Sequence, residues 1–68
     1  MQASARNQIK GTIKDIKTDK VSAHLDIDIG NGNTISSLIT NQSVQDMDLK
    51  VGDEVKAMIK STAVIVSK

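Results

Sequence analysis

The sequence contains no cysteine, no proline and no aromatic residue, and its charges nearly cancel, with 9 lysines and arginines against 8 aspartates and glutamates. Without cysteine there is no disulfide staple, no thiolate metal cage and no thiol nucleophile. Without proline there is no stiff polyproline linker. The missing aromatics leave the core to Ile, Val, Leu, Met and Ala, and they remove the flat side chains on which single-stranded nucleic acid stacks. A net charge of +1 gives no broad positive field to draw the chain onto nucleic acid or anionic lipid. Any anion it binds must be held locally. A single histidine cannot supply the paired acid and base, or the base beside a nucleophile, that most hydrolytic and transfer chemistry needs, which argues against an enzyme.

The segment Met1 to Arg6 lacks the apolar stretch of a secretory signal, and no apolar run approaches bilayer-spanning length. The expectation is a cytoplasmic protein without a membrane partner. At 68 residues the chain is read as one domain, residues 1–68. A chain this short hides only about 60% of the surface that it exposes when unfolded. Small cores are usually supported by disulfides, metals or self-association. With cysteine absent, self-association is the expected remedy.

Period-two alternation dominates what is present. Ile9, Gly11 and Ile13 share one strand face, with Lys10, Thr12 and Lys14 on the other. Val21, Ala23, Leu25, Ile27 and Ile29 alternate with Ser22, His24, Asp26 and Asp28 in the cleanest and longest such run. Gly30-Asn31-Gly32-Asn33 supplies residues that tolerate positive φ between two alternating segments, the signature of an antiparallel hairpin. A third strand is expected over Thr34–Thr40. A short helix follows, capped by Thr40 or Asn41 and carrying Val44, Met47 and Leu49. A fourth strand is expected over Glu54–Ile59, then the connection Lys60-Ser61-Thr62, then a fifth strand over Ala63–Val66. Five short strands with one helix between the third and fourth is the order of an all-β, OB-like Greek-key barrel.

Two clusters carry candidate chemistry. His24, Asp26 and Asp28 lie on one strand face at spacings that suit a divalent cation. Alternating polar residues are also simply the wet side of an antiparallel sheet, and no second segment offers ligands, so the solvated reading is preferred and no metal site is expected. Near the two ends of the chain, Ser4-Ala5-Arg6-Asn7 and Lys60-Ser61-Thr62 each pair a cation with hydroxyl groups. A tetrahedral dianion requires several donors converging with positive charge, and Arg, Lys and Ser supply both. The same residue types also make up ordinary solvated termini.

The opening Ser4-Ala5-Arg6-Asn7-Gln8-Ile9-Lys10-Gly11 resembles the start of the molybdate-binding Mop domains, the molbindins, a family related to TOBE domains. Val51-Gly52-Asp53-Glu54-Val55 and Ala57-Met58-Ile59-Lys60-Ser61-Thr62 are similar to the family's glycine turn, penultimate strand and Lys-Ser/Ala-Thr ending. Asn33 to Thr40 and Ser43-Val44 are similar to its third strand and helix, so the resemblance covers nearly the whole chain and looks like a free-standing single copy. It implies an OB-like barrel whose subunits share strands as dimers, three dimers forming a homohexamer, with molybdate or tungstate as bound ligand at the subunit interfaces and no catalytic cofactor. Carried over residue by residue, it implies that Ser4, Arg6, Lys60 and Ser61 contact the oxyanion, with main-chain donors at Ala5 and Thr62. It also implies a second kind of site, largely main chain, around Val21 to Ala23. His24 departs there from the other polar or aliphatic residues of the family.

The implied function is non-catalytic binding, storage and homeostasis of molybdate or tungstate. Two rivals belong to other classes. An OB-fold nucleic-acid binder conflicts with the absent aromatics and the near-zero charge. The other is an OB-fold interaction module without a physiological oxyanion, which a molybdate titration would separate from the first.

Overall fold

A computed structural model describes residues 6–68. Four strands and one short helix follow in the order β1 (Asn7–Thr18), β2 (Ser22–Gly30), β3 (Asn33–Thr40), α1 (Asn41–Asp46) and β4 (Glu54–Ile59), and a 3₁₀ turn at Ser61–Ala63 comes last. The strands form one antiparallel sheet in the order β3-β2-β1-β4.

The long first strand serves two partners in succession. Asn7 to Thr12 pair with β4, and Thr12 to Thr18 pair with β2. A bulge lies between Ile13 and Asp15, so that Ile13 pairs with Ile27 and Ile16 with Leu25. One extra residue in a strand reverses the inward parity and bends the sheet. Ile9, Gly11 and Ile13 therefore face inward before the bulge, and Ile16 does so after it. At the bulge the backbone of Ile13 is taken up by the loop that precedes β4, donating to Asp53 O at 2.9 Å and accepting from Gly52 N at 2.8 Å.

Gly11 lies tightly against β2. A Cβ there would lie 2.5 Å from Ile27 Cγ2 and 2.8 Å from the Asp28 carbonyl oxygen, so only hydrogen fits. The β2–β3 hairpin closes through Asn31 (φ 54°) and Gly32 (φ 77°), the two left-handed residues that a type I′ turn requires. Thr40 caps α1 by accepting from Ser43 N at 3.0 Å, a bond that satisfies one of the helix's unpaired leading donors.

The core gathers on the concave face. Ile13, Ala23, Leu25 and Ile27 are buried, and Ile16, Ile29, Ile39, Val44, Leu49, Val55 and Ala57 pack around them. The helix contributes Val44 and the segment after it Leu49, whereas Met47 is 59% exposed.

The architecture is the expected OB-like, all-β one, with one difference. The segment expected to form a fifth strand is not paired within this chain: after the Ser61–Ala63 turn, Val64 is half-exposed, and Ile65 and Val66 are 92% and 88% exposed. A strand persists only where a neighbouring edge accepts its hydrogen bonds. Here β3 and β4 are the two outer strands, and an open apolar groove of about 410 Å³ lies between them, lined by Leu25, Ile35, Ile39, Val55, Ala57 and Ile59 among others. None of the helices is long and apolar enough to cross a membrane among the described residues.

Candidate functional site

The register of β1 against β4 determines what meets at the chain ends. Asn7 pairs with Ile59, Gln8 with Met58, Ile9 with Ala57 and Lys10 with Lys56. One step beyond the last pair stand Arg6 and Lys60. Sequence separation is thus overcome by a ladder of backbone hydrogen bonds, which brings an N-terminal guanidinium-bearing residue beside a C-terminal ammonium-bearing one. Both are exposed. Among the described residues neither joins an ion pair; the three pairs found are Lys17–Asp15, His24–Asp26 and Lys50–Asp48. Two like charges at neighbouring positions on adjacent strands repel each other. An anion between them would reverse that sign.

Lys60 also opens the 3₁₀ turn. The N–H groups of Ala63 and Val64 donate to the carbonyls of Lys60 and Ser61, at 2.9 and 3.3 Å. In such a turn the leading N–H groups, here those of Ser61 and Thr62, have no acceptor inside the turn. Ser61 lies next to Lys60 at this turn, so two of the four expected contact residues are adjacent and a third, Arg6, is placed beside them by register. Ser4 and the Ala5 main chain fall outside the described residues.

The stretch Val21 to Ala23, where the resemblance implies a second site, is tied to an acidic side chain of the preceding turn. Asp19 accepts from Val21 N at 3.0 Å and from Ser22 N at 2.8 Å through the same carboxylate oxygen. Those two main-chain donors are therefore already held by an anion that belongs to the chain. These bonds, Ser22 first and Val21 second, lower the Asp19 pKa below its ordinary value of 3.8 by favouring the charged form. Asn41 ties the helix start to the same corner, its N donating to Val21 O at 2.8 Å and its side-chain amide to Asp19 O. Asp19 was not among the sequence candidates. The signal available was an Asp placed two and three residues before the donors it binds, the spacing of an Asx turn.

His24 and Asp26 approach to 3.6 Å on the outer face of β2, half-exposed. Ser36 donates to Asp26 at 3.1 Å, and Asp28 accepts from Gly30 N at 2.9 Å. The two carboxylates are thus occupied separately along the strand, and among the described residues no group of three ligating side chains converges.

The described residues thus form a small OB-like module in which Arg6 and Lys60 stand side by side with no ion-pair partner among the described residues. A family model described as the TOBE domain matches residues 3–66, and the chain belongs to that family. It is 46% identical over 66 residues to a probable molybdenum-pterin-binding protein of Haemophilus influenzae, covering 97% of this chain and 96% of that one. Its fold matches a molybdate-binding protein from Sporomusa ovata with a TM-score of 0.93 at 38% identity, over 100% of both chains. It also matches the cytoplasmic molybdate-binding protein ModG, in a form with molybdate bound, with a TM-score of 0.84 at 36% identity, over 90% of this chain and 43% of that one.

Proposed function

We propose that this chain reversibly binds molybdate, with tungstate as an equally well-shaped ligand, and serves in cytoplasmic storage and homeostasis of the oxyanion without catalysing a reaction. The observation that carries this reading is the placement of Arg6 and Lys60 side by side at the end of the β1–β4 ladder, with no carboxylate paired to either among the described residues. In the proposal Arg6 and Lys60 neutralise the dianion, Ser4 and Ser61 orient its oxygens, and the Thr62 and Ala5 main chain adds donors. Relatives named for molybdenum or molybdate binding support the choice of ligand. The residues 1–68 act as one binding domain.

The proposed assembly is a homohexamer of three dimers, in which the C-terminal apolar segment of one subunit covers the groove between β3 and β4 of another. The exposure of Ile65 and Val66, and the apolar lining of that groove, support it. Covering such surface is favourable at about 25 cal/mol for each Å² removed from water.

Calorimetric titration with molybdate tests the site. A charge-assisted hydrogen bond contributes on the order of 1.5–3 kcal/mol, so Arg6→Ala and Lys60→Ala should each weaken binding roughly 10- to 100-fold. Parent-like affinity in both variants would remove Arg6 and Lys60 from the site. Absence of molybdate binding by the parent would favour the interaction-module reading.

A further inference from the structure

The outer face of the β1–β4 ribbon holds a second opposed cation pair that the proposed site does not use. Lys10 pairs directly with Lys56, four residues inward from Arg6 and Lys60. The alternation on both strands is unambiguous: Ile9, Gly11, Val55 and Ala57 are covered, whereas Gln8, Lys10, Lys56 and Met58 are exposed. Gln8 and Met58, which carry no charge, fill the rung between the two pairs. Four cationic positions thus share one face of a chain whose net charge is only +1. Among the described residues neither Lys10 nor Lys56 joins an ion pair. The stripe ends one rung further on, where Thr12 pairs with Glu54 and with Asp28. Those two carboxyl groups line an open groove with Lys10 without forming an ion pair to it. Charge along the ribbon therefore runs from acidic at Glu54 and Asp28 to doubly basic at Arg6 and Lys60.

From this arrangement we infer that Lys10 and Lys56 form an electrostatic approach path, which concentrates an inorganic oxyanion on the outer face of the ribbon and raises its affinity for the Arg6–Lys60 site without touching it there. The inference rests on the reading that Arg6 and Lys60 hold the anion. Four strand residues span about 13 Å, beyond the screening length of about 8 Å at physiological ionic strength but well inside that of about 30 Å at about 0.01 M salt, so the effect belongs to low ionic strength. A charge at that distance acts through its field. The acidic end of the ribbon repels the same anion and so directs it toward the termini.

The test compares molybdate dissociation constants of the full chain and of the double variant Lys10→Gln/Lys56→Gln, by calorimetry at two ionic strengths. At about 0.01 M salt, where the screening length is about 30 Å, the variant should bind roughly three- to tenfold more weakly. At about 1 M salt, where it is about 3 Å, the two should agree within about twofold. Lys10→Arg/Lys56→Arg, which keeps the charge, should behave as the parent at both. Lys14→Gln/Lys50→Gln removes the same charge elsewhere and should have no comparable effect. Equal affinities at low salt overturn the inference, as does a loss that persists at high salt, which would mean direct contact. An equal loss in the Lys14/Lys50 control also overturns it, since net charge would then suffice. If Arg6→Ala weakens binding while the Lys10/Lys56 variant does not, this inference alone fails. If the parent binds no molybdate, the proposed function fails with it.

Discussion

Single residues at the corner before β2 show how hydrogen bonding and charge share one function. Asp19 holds the N–H groups of Val21 and Ser22, and these bonds depress its pKa below 3.8. A carboxylate whose pKa is lower in the folded than in the unfolded state adds stability above the unfolded value, and that stability is lost as the pH falls through the folded one. Asp19→Asn should therefore be less stable than the parent near neutrality, and the gap should close as the pH is taken below 3.8. Urea denaturation across that range reads it directly; a gap independent of pH would mean that the charge of Asp19 contributes nothing. The same residue gives the main-chain N–H groups of Val21 and Ser22 an internal acceptor, within the stretch where the family resemblance implies a second, largely main-chain site.

At the scale of elements, the legible parts of the fold are those fixed by local chemistry. The alternation of Val21 to Ile29 specified β2 to within a residue, Gly30-Asn31-Gly32-Asn33 specified the hairpin, and Thr40 or Asn41 marked the helix start, which the structure assigns to Thr40 as cap. The bulge after Ile13 was not legible, because it depends on β1 having two partners and on Gly52 and Asp53 filling the backbone at that point. The expected fifth strand illustrates the converse: Ala63–Val66 has a strand's composition, yet pairing is a property of the neighbouring edge and not of the segment. Gly11 could be placed in a strand from the sequence, while its necessity comes from the approach of Ile27 and Asp28. Gly11→Ala should destabilise the chain by about 1–3 kcal/mol, the usual cost of forcing a methyl into a filled space. Unchanged stability by urea denaturation would show that β2 yields easily and that the bend does not depend on glycine.

For the whole molecule, the decisive feature is topological: the first and last strands are neighbours in the sheet, so residues 54 positions apart are delivered to the same place. Of the four expected contact residues, Arg6, Lys60 and Ser61 are brought together at that point, and Ser4 lies outside the described residues. The sequence showed cations and hydroxyls at both ends but not their meeting, which required the β1–β4 register. The apolar groove and the exposed Ile65 and Val66, open among the described residues, belong to the same scale, and in the proposed assembly a second chain covers them. Crystals grown with molybdate and measured at the molybdenum absorption edge would locate the metal atom without bias from side-chain placement. The prediction is an anomalous peak within hydrogen-bonding reach of an oxyanion held by Arg6 and Lys60, with a neighbouring subunit packed beside it. A peak at Val21 to Ala23 alone, or none near the joined termini, would contradict it.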